Sequence, residues 1–199
     1  MITSILITGV GGQGTVLMSR LIGTAAIAAG LEVRGSETIG MAQRGGSVVS
    51  HIRMGLPPCP PHSPLIPPGT ADCVIAFEPA EAVRVLPFLS PAGRMLVLDR
   101  GVMPVSASLG ETAYDPREMT AFLTSALPPE RLTIVRGGDL IAQCGSPRVV
   151  NAALLGTALA KNYFPFSPAH LREALKSRLP SHYLELNLKA LELGISLGS

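Results

Sequence analysis

Gly9, Gly11 and Gly14 fall in a G-x-G-x-x-G run, with Gly12 and Gln13 between them. The run lies between a β-branched stretch, SILITG, and a helix-like stretch, TVLMSRLIGTAAIAAG. In that context glycines permit a tight turn, and the free N–H groups at the helix start can hold an anion. A dinucleotide-binding domain also needs an acidic residue ending its second strand to hold a ribose, and Glu37 stands at about that distance. The same glycines have a plainer use, which is to let helix and strand pack closely. Further on, Gln43-Arg44-Gly45-Gly46 places an arginine beside two glycines where such a domain would carry a helix. Ser50 and His51 are adjacent, so on a strand they point to opposite faces and form no nucleophile–base pair by themselves. His62, His170 and His182 stand alone and read as surface or capping residues. Asn187 lies among Leu184, Leu188 and Leu191 at helical spacing, which predicts a buried amide tying a helix to a neighbouring loop. Asn151 reads similarly, with a second option of reaching a cleft.

The elements that must position these residues alternate. The order is a strand, the glycine loop, a helix stopped by Gly30, and a second strand in LEVRGSE. A loop, TIGMAQRGG, then leads to a third strand, SVVSHIRMG. On that strand Val48, Ser50, Ile52 and Met54 share one face, while Val49, His51 and Arg53 share the other. The connector from Pro57 to Pro68 is proline-dense and reads as extended and surface-lying. ADCVIAFE, GRMLVLDR and RLTIVRG read as strands. PAEAVRVLPFL and DPREMTAFLTSAL read as helices, the latter with Asp115 as N-cap. SPRVVNAALLGTALAK begins a helical tail that continues in SPAHLREALKSRL and SHYLELNLKALELG. This alternation predicts one α/β domain over residues 1–199, three-layered and Rossmann-like. Its sheet is expected to be mainly parallel, with an irregular β-loop-β excursion and a helical C-terminal tail.

Apolar residues make up 47% of the 199 and charged residues only 15%, below the usual quarter, so part of the surface is expected to lie against a partner. A net charge of +2 without a basic run does not suggest nucleic acid. No segment reads as membrane-spanning, and the opening lacks the positive n-region of a secretory signal. Cys59, Cys73 and Cys144 are far apart with no CxxC, so neither an iron–sulfur cluster nor a zinc site is expected within the chain, and metal ligands are expected to number none. Sparse cysteines fit a reducing cytoplasm. A P-loop lysine, a G-x-S-x-G elbow and a GDG…NN thiamine signature are all missing.

GVGGQGTVLMSRLIG followed by ETIGMAQRGGSVVSHIRMG resembles the gamma-type subunits of 2-oxoacid:ferredoxin oxidoreductases, in the form of the indolepyruvate branch's beta subunits. The likeness continues through PLIPPGTADCVIAFEPAEAVRVLPFL, NAALLG and LNLKALELG, from Ile5 to about Gly194. Asp99 stands where asparagine is expected in much of the family, and the connector is richer in proline than usual. The resemblance implies a subunit, inactive alone, of an enzyme that oxidatively decarboxylates a 2-oxoacid with coenzyme A and passes electrons to ferredoxin. The thiamine diphosphate, its Mg2+ and the iron–sulfur clusters are then expected on a large partner subunit, with no cofactor bound by this chain alone. In that setting Arg44 could present its planar fork to a carboxylate, a diphosphate or a coenzyme A phosphate, or could pair with a structural carboxylate such as Glu37. Gln43 reads as closing the loop, and Gly45 and Gly46 as admitting a close approach of substrate, coenzyme A or the partner. Arg53 reads as a cross-strand or interface ion pair. Two other functions stand beside this one: a stand-alone NAD(P)-dependent dehydrogenase using the glycine loop, and a non-catalytic module completing a partner's fold.

Overall fold

The computed structural model of the chain describes residues 2–40, 46–102 and 114–199. In chain order the elements are β1 (Ile2–Val10), α1 (Thr15–Ala28), β2 (Glu32–Ile39), β3 (Ser47–Gly55), β4 (Ala71–Ala76), α2 (Pro79–Val85) and β5 (Leu89–Asp99). They continue with α3 (Pro116–Ala126), β6 (Leu132–Arg136), α4 (Gly137–Cys144), α5 (Val150–Ala160), α6 (Pro168–Arg178) and α7 (Ser181–Gly198). Six strands make one mixed sheet in the order β2-β3-β1-β4-β5-β6. Strands β1, β4, β5 and β6 run parallel to one another, while β3 is antiparallel to both β1 and β2.

The sheet is covered on both sides, as expected of a three-layer fold. One face carries Ile5, Ile7, Ile52, Met54 and Ile75 against α1 and the C-terminal helices. The other carries Leu6, Val74, Ala76, Met95 and Val97 against residues of α2 and α3. Helix α1 buries Met18, Leu21, Ile22, Ala25 and Ala26, a stripe recurring at three and four residues, and the chain leaves it through Gly30 at φ +80°. Helix α5 is buried nearly all round, which its run of alanines and leucines demands. The Asp115 carboxylate caps α3 by accepting from Arg117 N–H at 2.9 Å. His170 completes a capping box at the start of α6, where its Nδ1 accepts from Ser167 N–H.

Four details differ from the sequence reading. Strand β2 runs past Glu37 to Ile39, because Thr38 and Ile39 pair with Val49 and Val48 and Gly40 N–H donates to Ser47 O at 2.8 Å. The excursion is therefore a hairpin whose second strand, β3, lies between β2 and β1. Helix α4 was not expected; its signals are Asp139 in the first turn and Gly145 in the left-handed region just past its end. The proline-dense connector is anchored rather than only surface-lying, since Pro61 and Ile66 are buried. Asn187 is only half-buried and ties no loop among the described residues: its amide donates to Tyr183 O one turn earlier on α7, at 2.8 Å. Helical spacing gave its side of the helix, but not the nearness of a backbone acceptor in the helix itself.

Candidate functional site

Helix α1 follows β1 onto one face of the sheet, and α2 follows β4 onto the other. The adjacent strands β1 and β4 therefore bound a switch in the direction of winding, where an open α/β sheet leaves a crevice at the strands' carboxyl ends. A cleft of about 450 Å³ lies there, within the range of small-ligand sites. Its walls are Gly12, Gln13 and Gly14 after β1, Phe77 after β4, Leu98, Arg100 and Val102 at the exit of β5, and Pro147, Arg148, Val150 and Asn151 leading into α5.

The glycine loop uses much of its own hydrogen-bonding capacity. Gln13 Oε1 accepts from Val10 N–H at 2.7 Å, Gln13 N–H donates to Val10 O, and Gln13 Nε2 reaches Phe77 O at 3.4 Å. Gly9 is bare because a Cβ there would stand 2.6 Å from that Gln13 oxygen. Gly11 N–H donates to Gly46 O at 2.9 Å, which joins the glycine loop to the end of the second polar stretch. Gly12 and Gly14, both at positive φ, have no N–H bond to any described residue. Gly14 also accepts the Asn151 amide, from Nδ2 to O at 3.4 Å, and any side chain on Gly14 would collide with that amide. Asn151 thus reaches the cleft.

Arg100 and Arg148 are exposed on the walls of this cleft, and neither forms an ion pair with a described residue. Sequence reasoning missed both. Residues 100 and 148 come together only because β5 lies beside β4 and α5 returns over the sheet. Gln43, Arg44 and Gly45 lie outside the described residues; Gly46 is placed, against Gly11. Glu37 is not in the cleft. It borders a separate groove between α1 and β2 and accepts from Ser19 Oγ at 3.2 Å. Ser50 and His51 face opposite sides as expected. His51 is buried with Nδ1 accepting from Ile66 N–H at 3.2 Å, and burial lowers its pKa. Arg53 donates to Ser63 O at 3.1 Å, fastening the connector to β3.

Among the described residues no three His, Cys, Asp or Glu side chains come together as metal ligands. Cys73 is buried, its thiol pushed up to about 12 by burial, and it donates to Tyr163 O. No helix among the described residues is long and apolar enough to cross a membrane.

A doubly wound sheet with an antiparallel hairpin at one edge and a ligand-sized cleft at its switch point places the chain among open-sheet α/β proteins that bind ligands at the strands' carboxyl ends. Residues 4–197 match the model of the pyruvate ferredoxin/flavodoxin oxidoreductase family. The chain belongs to that family. It is 38% identical over 192 residues to the indolepyruvate oxidoreductase subunit IorB of Archaeoglobus fulgidus, covering 96% of this chain and 92% of that one. The subunit of the same name from Methanothermobacter thermautotrophicus is 36% identical, covering 96% and 95% of the two chains. Among solved structures, the gamma subunit of a keto/oxoacid ferredoxin oxidoreductase from Geobacter sulfurreducens shares the fold at TM-score 0.70 and 22% identity, over 98% of this chain and 95% of that one. A 2-oxoglutarate:ferredoxin oxidoreductase from Magnetococcus marinus, solved with 2-oxoglutarate, coenzyme A and succinyl-CoA bound, aligns at TM-score 0.69 and 22% identity. That alignment covers 99% of this chain and 31% of the longer one.

Proposed function

We propose that residues 1–199 act as one gamma-type domain, the subunit without a redox centre in a thiamine-diphosphate-dependent 2-oxoacid:ferredoxin oxidoreductase, and that the switch-point cleft takes the anionic end of coenzyme A. The observation carrying this reading is the couple Arg100 and Arg148, without ion-pair partners among the described residues, on the walls of a cleft lined also by Gly12 and Gly14, whose N–H groups have no partner among the described residues. Coenzyme A carries a diphosphate and a further phosphate, the groups that guanidinium forks and free amides bind best. The names of the relatives point to indolepyruvate or a similar aryl pyruvate as the 2-oxoacid, decarboxylated oxidatively to an acyl-CoA with ferredoxin as acceptor. Thiamine diphosphate, Mg2+ and the iron–sulfur clusters belong in this reading to a large partner subunit. In support of this, no three acids, histidines or cysteines stand together among the described residues to ligate iron or Mg2+, and burial pushes the Cys73 thiol up to about 12. The stretch Gln43, Arg44, Gly45 and Gly46 is assigned to the shared border with substrate, coenzyme A or the partner. The complex is assigned to the cytoplasm, apart from nucleic acid and membrane.

The test uses the chain assembled with its large subunit. Arg148→Ala is expected to raise the KM for coenzyme A by about 10- to 100-fold, the cost of one charge-assisted contact, and Arg148→Lys to recover only part of it. Normal coenzyme A kinetics in both Arg100→Ala and Arg148→Ala would overturn the assignment. The dehydrogenase alternative has only the glycine loop in its favour, and Glu37 lies away from that loop's cleft. A fluorescence titration with NAD(P)H is expected to show no saturable binding.

A further inference from the structure

Behind the wall of the cleft lies a carboxylate that the proposed reading does not use. Glu78 follows Phe77 at the end of β4 and is only 2% exposed. Its Oε2 accepts from Glu81 N–H at 2.9 Å, capping α2, and its Oε1 accepts from the Tyr114 hydroxyl. Burial pushes its pKa up, while the backbone amides of Glu81, Ala80 and Val102 draw it down and the Glu81 charge adds to the rise. One backbone N–H and one hydroxyl thus donate to its two oxygens. A carboxylate suits this arrangement; an amide would turn an NH2 toward another donor. Retaining a buried charge is costly unless it is held this way.

The Tyr114 donor on Glu78 adjoins the wall of the cleft. Val102 lines the cleft itself. Tyr114 packs on Gly101, where a Cβ would stand 3.2 Å from the ring and 2.8 Å from Pro116. Arg100, one residue earlier, is pressed from behind by α4, since a Cβ on Gly137 would stand 3.0 Å from Arg100 Cβ. Its own N–H donates to Leu98 O at 2.8 Å. A continuous chain of contacts therefore leads from Glu78 through Tyr114 and Gly101 to Arg100.

We infer that Glu78 is a positioning residue. Through Tyr114, whose hydroxyl it holds and whose ring packs on Gly101, it fixes the Arg100–Val102 turn, and with it the direction from which the Arg100 guanidinium meets an anionic ligand. The inference rests on the assignment of the cleft to coenzyme A. The nearby carboxylate of Glu81 anchors a different element: it accepts from Ser47 Oγ at 2.5 Å and pairs with Arg84 at 3.3 Å, which holds the start of β3. Of the two carboxylates, Glu78 is the one whose hydrogen-bond partner packs against the cleft wall.

The experiment measures coenzyme A kinetics and thermal midpoints of the assembled complex for Arg100→Ala, Glu78→Gln and Tyr114→Phe, and for the two combinations with Arg100→Ala. Glu78→Gln is expected to raise the KM for coenzyme A about tenfold and Tyr114→Phe about threefold, in keeping with the loss of a charged and a lesser hydrogen bond. The turnover at saturating coenzyme A is expected to fall much less than the KM rises. In the Arg100→Ala background both changes should add little, because the group they aim is gone. Tyr114→Phe removes a single oxygen, so it keeps the question answerable if Glu78→Gln fails to assemble. If the Glu78→Gln or Tyr114→Phe effect multiplies independently with that of Arg100→Ala, the inference is wrong. It is equally wrong if the midpoint drops while the KM for coenzyme A stays put. If Arg100→Ala leaves that KM unmoved while Arg148→Ala raises it, the inference is wrong and the assignment of the cleft stands; if neither substitution moves it, the assignment falls and the inference falls with it.

Discussion

The His51 side chain shows how one buried group can set a pH response. Its Nδ1 must be unprotonated to accept from Ile66 N–H, and the Phe88 ring meets it edge-on at 5.9 Å between centroids. Burial lowers its pKa below the ordinary 6.5, so the folded chain binds fewer protons here than the unfolded chain at mildly acid pH. Stability from this group is complete above about pH 6.5 and is lost as pH falls toward the folded-state pKa. Glu78, raised from 4.5, acts with the opposite sign, because the folded chain takes up its proton first. The difference between wild type and His51→Gln cancels the Glu78 contribution. Urea unfolding at a series of pH values is expected to show wild type losing more stability than His51→Gln between pH 7 and 5. A pH-independent gap between the two would assign His51 a packing role alone. The placement of His51 opposite Ser50 was legible from strand alternation, because a period of two leaves one choice of face. Its partner was not legible, since Ile66 lies across a connector whose path the sequence does not specify.

At the scale of elements, the tightest seam runs between α5 and α7. A Cβ on Gly156 would overlap Leu191 O, one on Gly194 would overlap Ala153 O, and Thr157 Oγ1 donates to Gly194 O at 3.1 Å across the same seam. The helices can touch backbone to backbone only because these positions lack side chains. Gly194→Ala must push the helices apart, and the expected cost is about 3 kcal/mol, at the upper end for overpacking because the obstacle is backbone rather than a movable side chain. A shift in urea midpoint measures it, and a change under about 0.5 kcal/mol, the range of ordinary surface substitutions, would mean the seam is slack. The long periodic helices were legible because each carries an apolar stripe and a stop. Helix α4 was not, since eight residues opening on two glycines give too short a pattern to compete with a loop reading. The hairpin β2–β3 was legible as a break in the winding, yet the pairing of β3 with β1 was not. Pairing between strands distant in sequence depends on the whole sheet, and for the same reason Arg100 and Arg148 escaped notice while the glycine loop did not.

At the scale of the whole molecule, the composition and the surface agree. With 15% charged residues the chain has little to cover an apolar exterior, and Ile27, Ile39, Leu56 and Leu65 are each more than half exposed. Scattered apolar residues are ordinary on a surface, but β2 combines one with an open sheet edge. Among the described residues it pairs with β3 alone and no strand lies along its outer edge, and Ile39 closes it at 63% exposure shortly before the Gln43–Gly46 stretch. An uncovered edge of this kind favours association, and the relatives are named as subunits. Expressed alone, the chain is expected to self-associate, and co-expression with the proposed large subunit to give a stable complex. Ile39→Glu tests whether this edge is the reason. The side chain is exposed, so the thermal midpoint of the isolated chain should move little, within the roughly ±0.5 kcal/mol of a surface change. A charge at the end of the edge should keep the isolated chain monomeric in analytical ultracentrifugation. If the partner covers this edge, the same charge should weaken the complex, read as a faster dissociation of the large subunit because a desolvated charge acts mainly on lifetime. A variant that still self-associates and binds the partner with wild-type lifetime would move the interface to another face of the molecule.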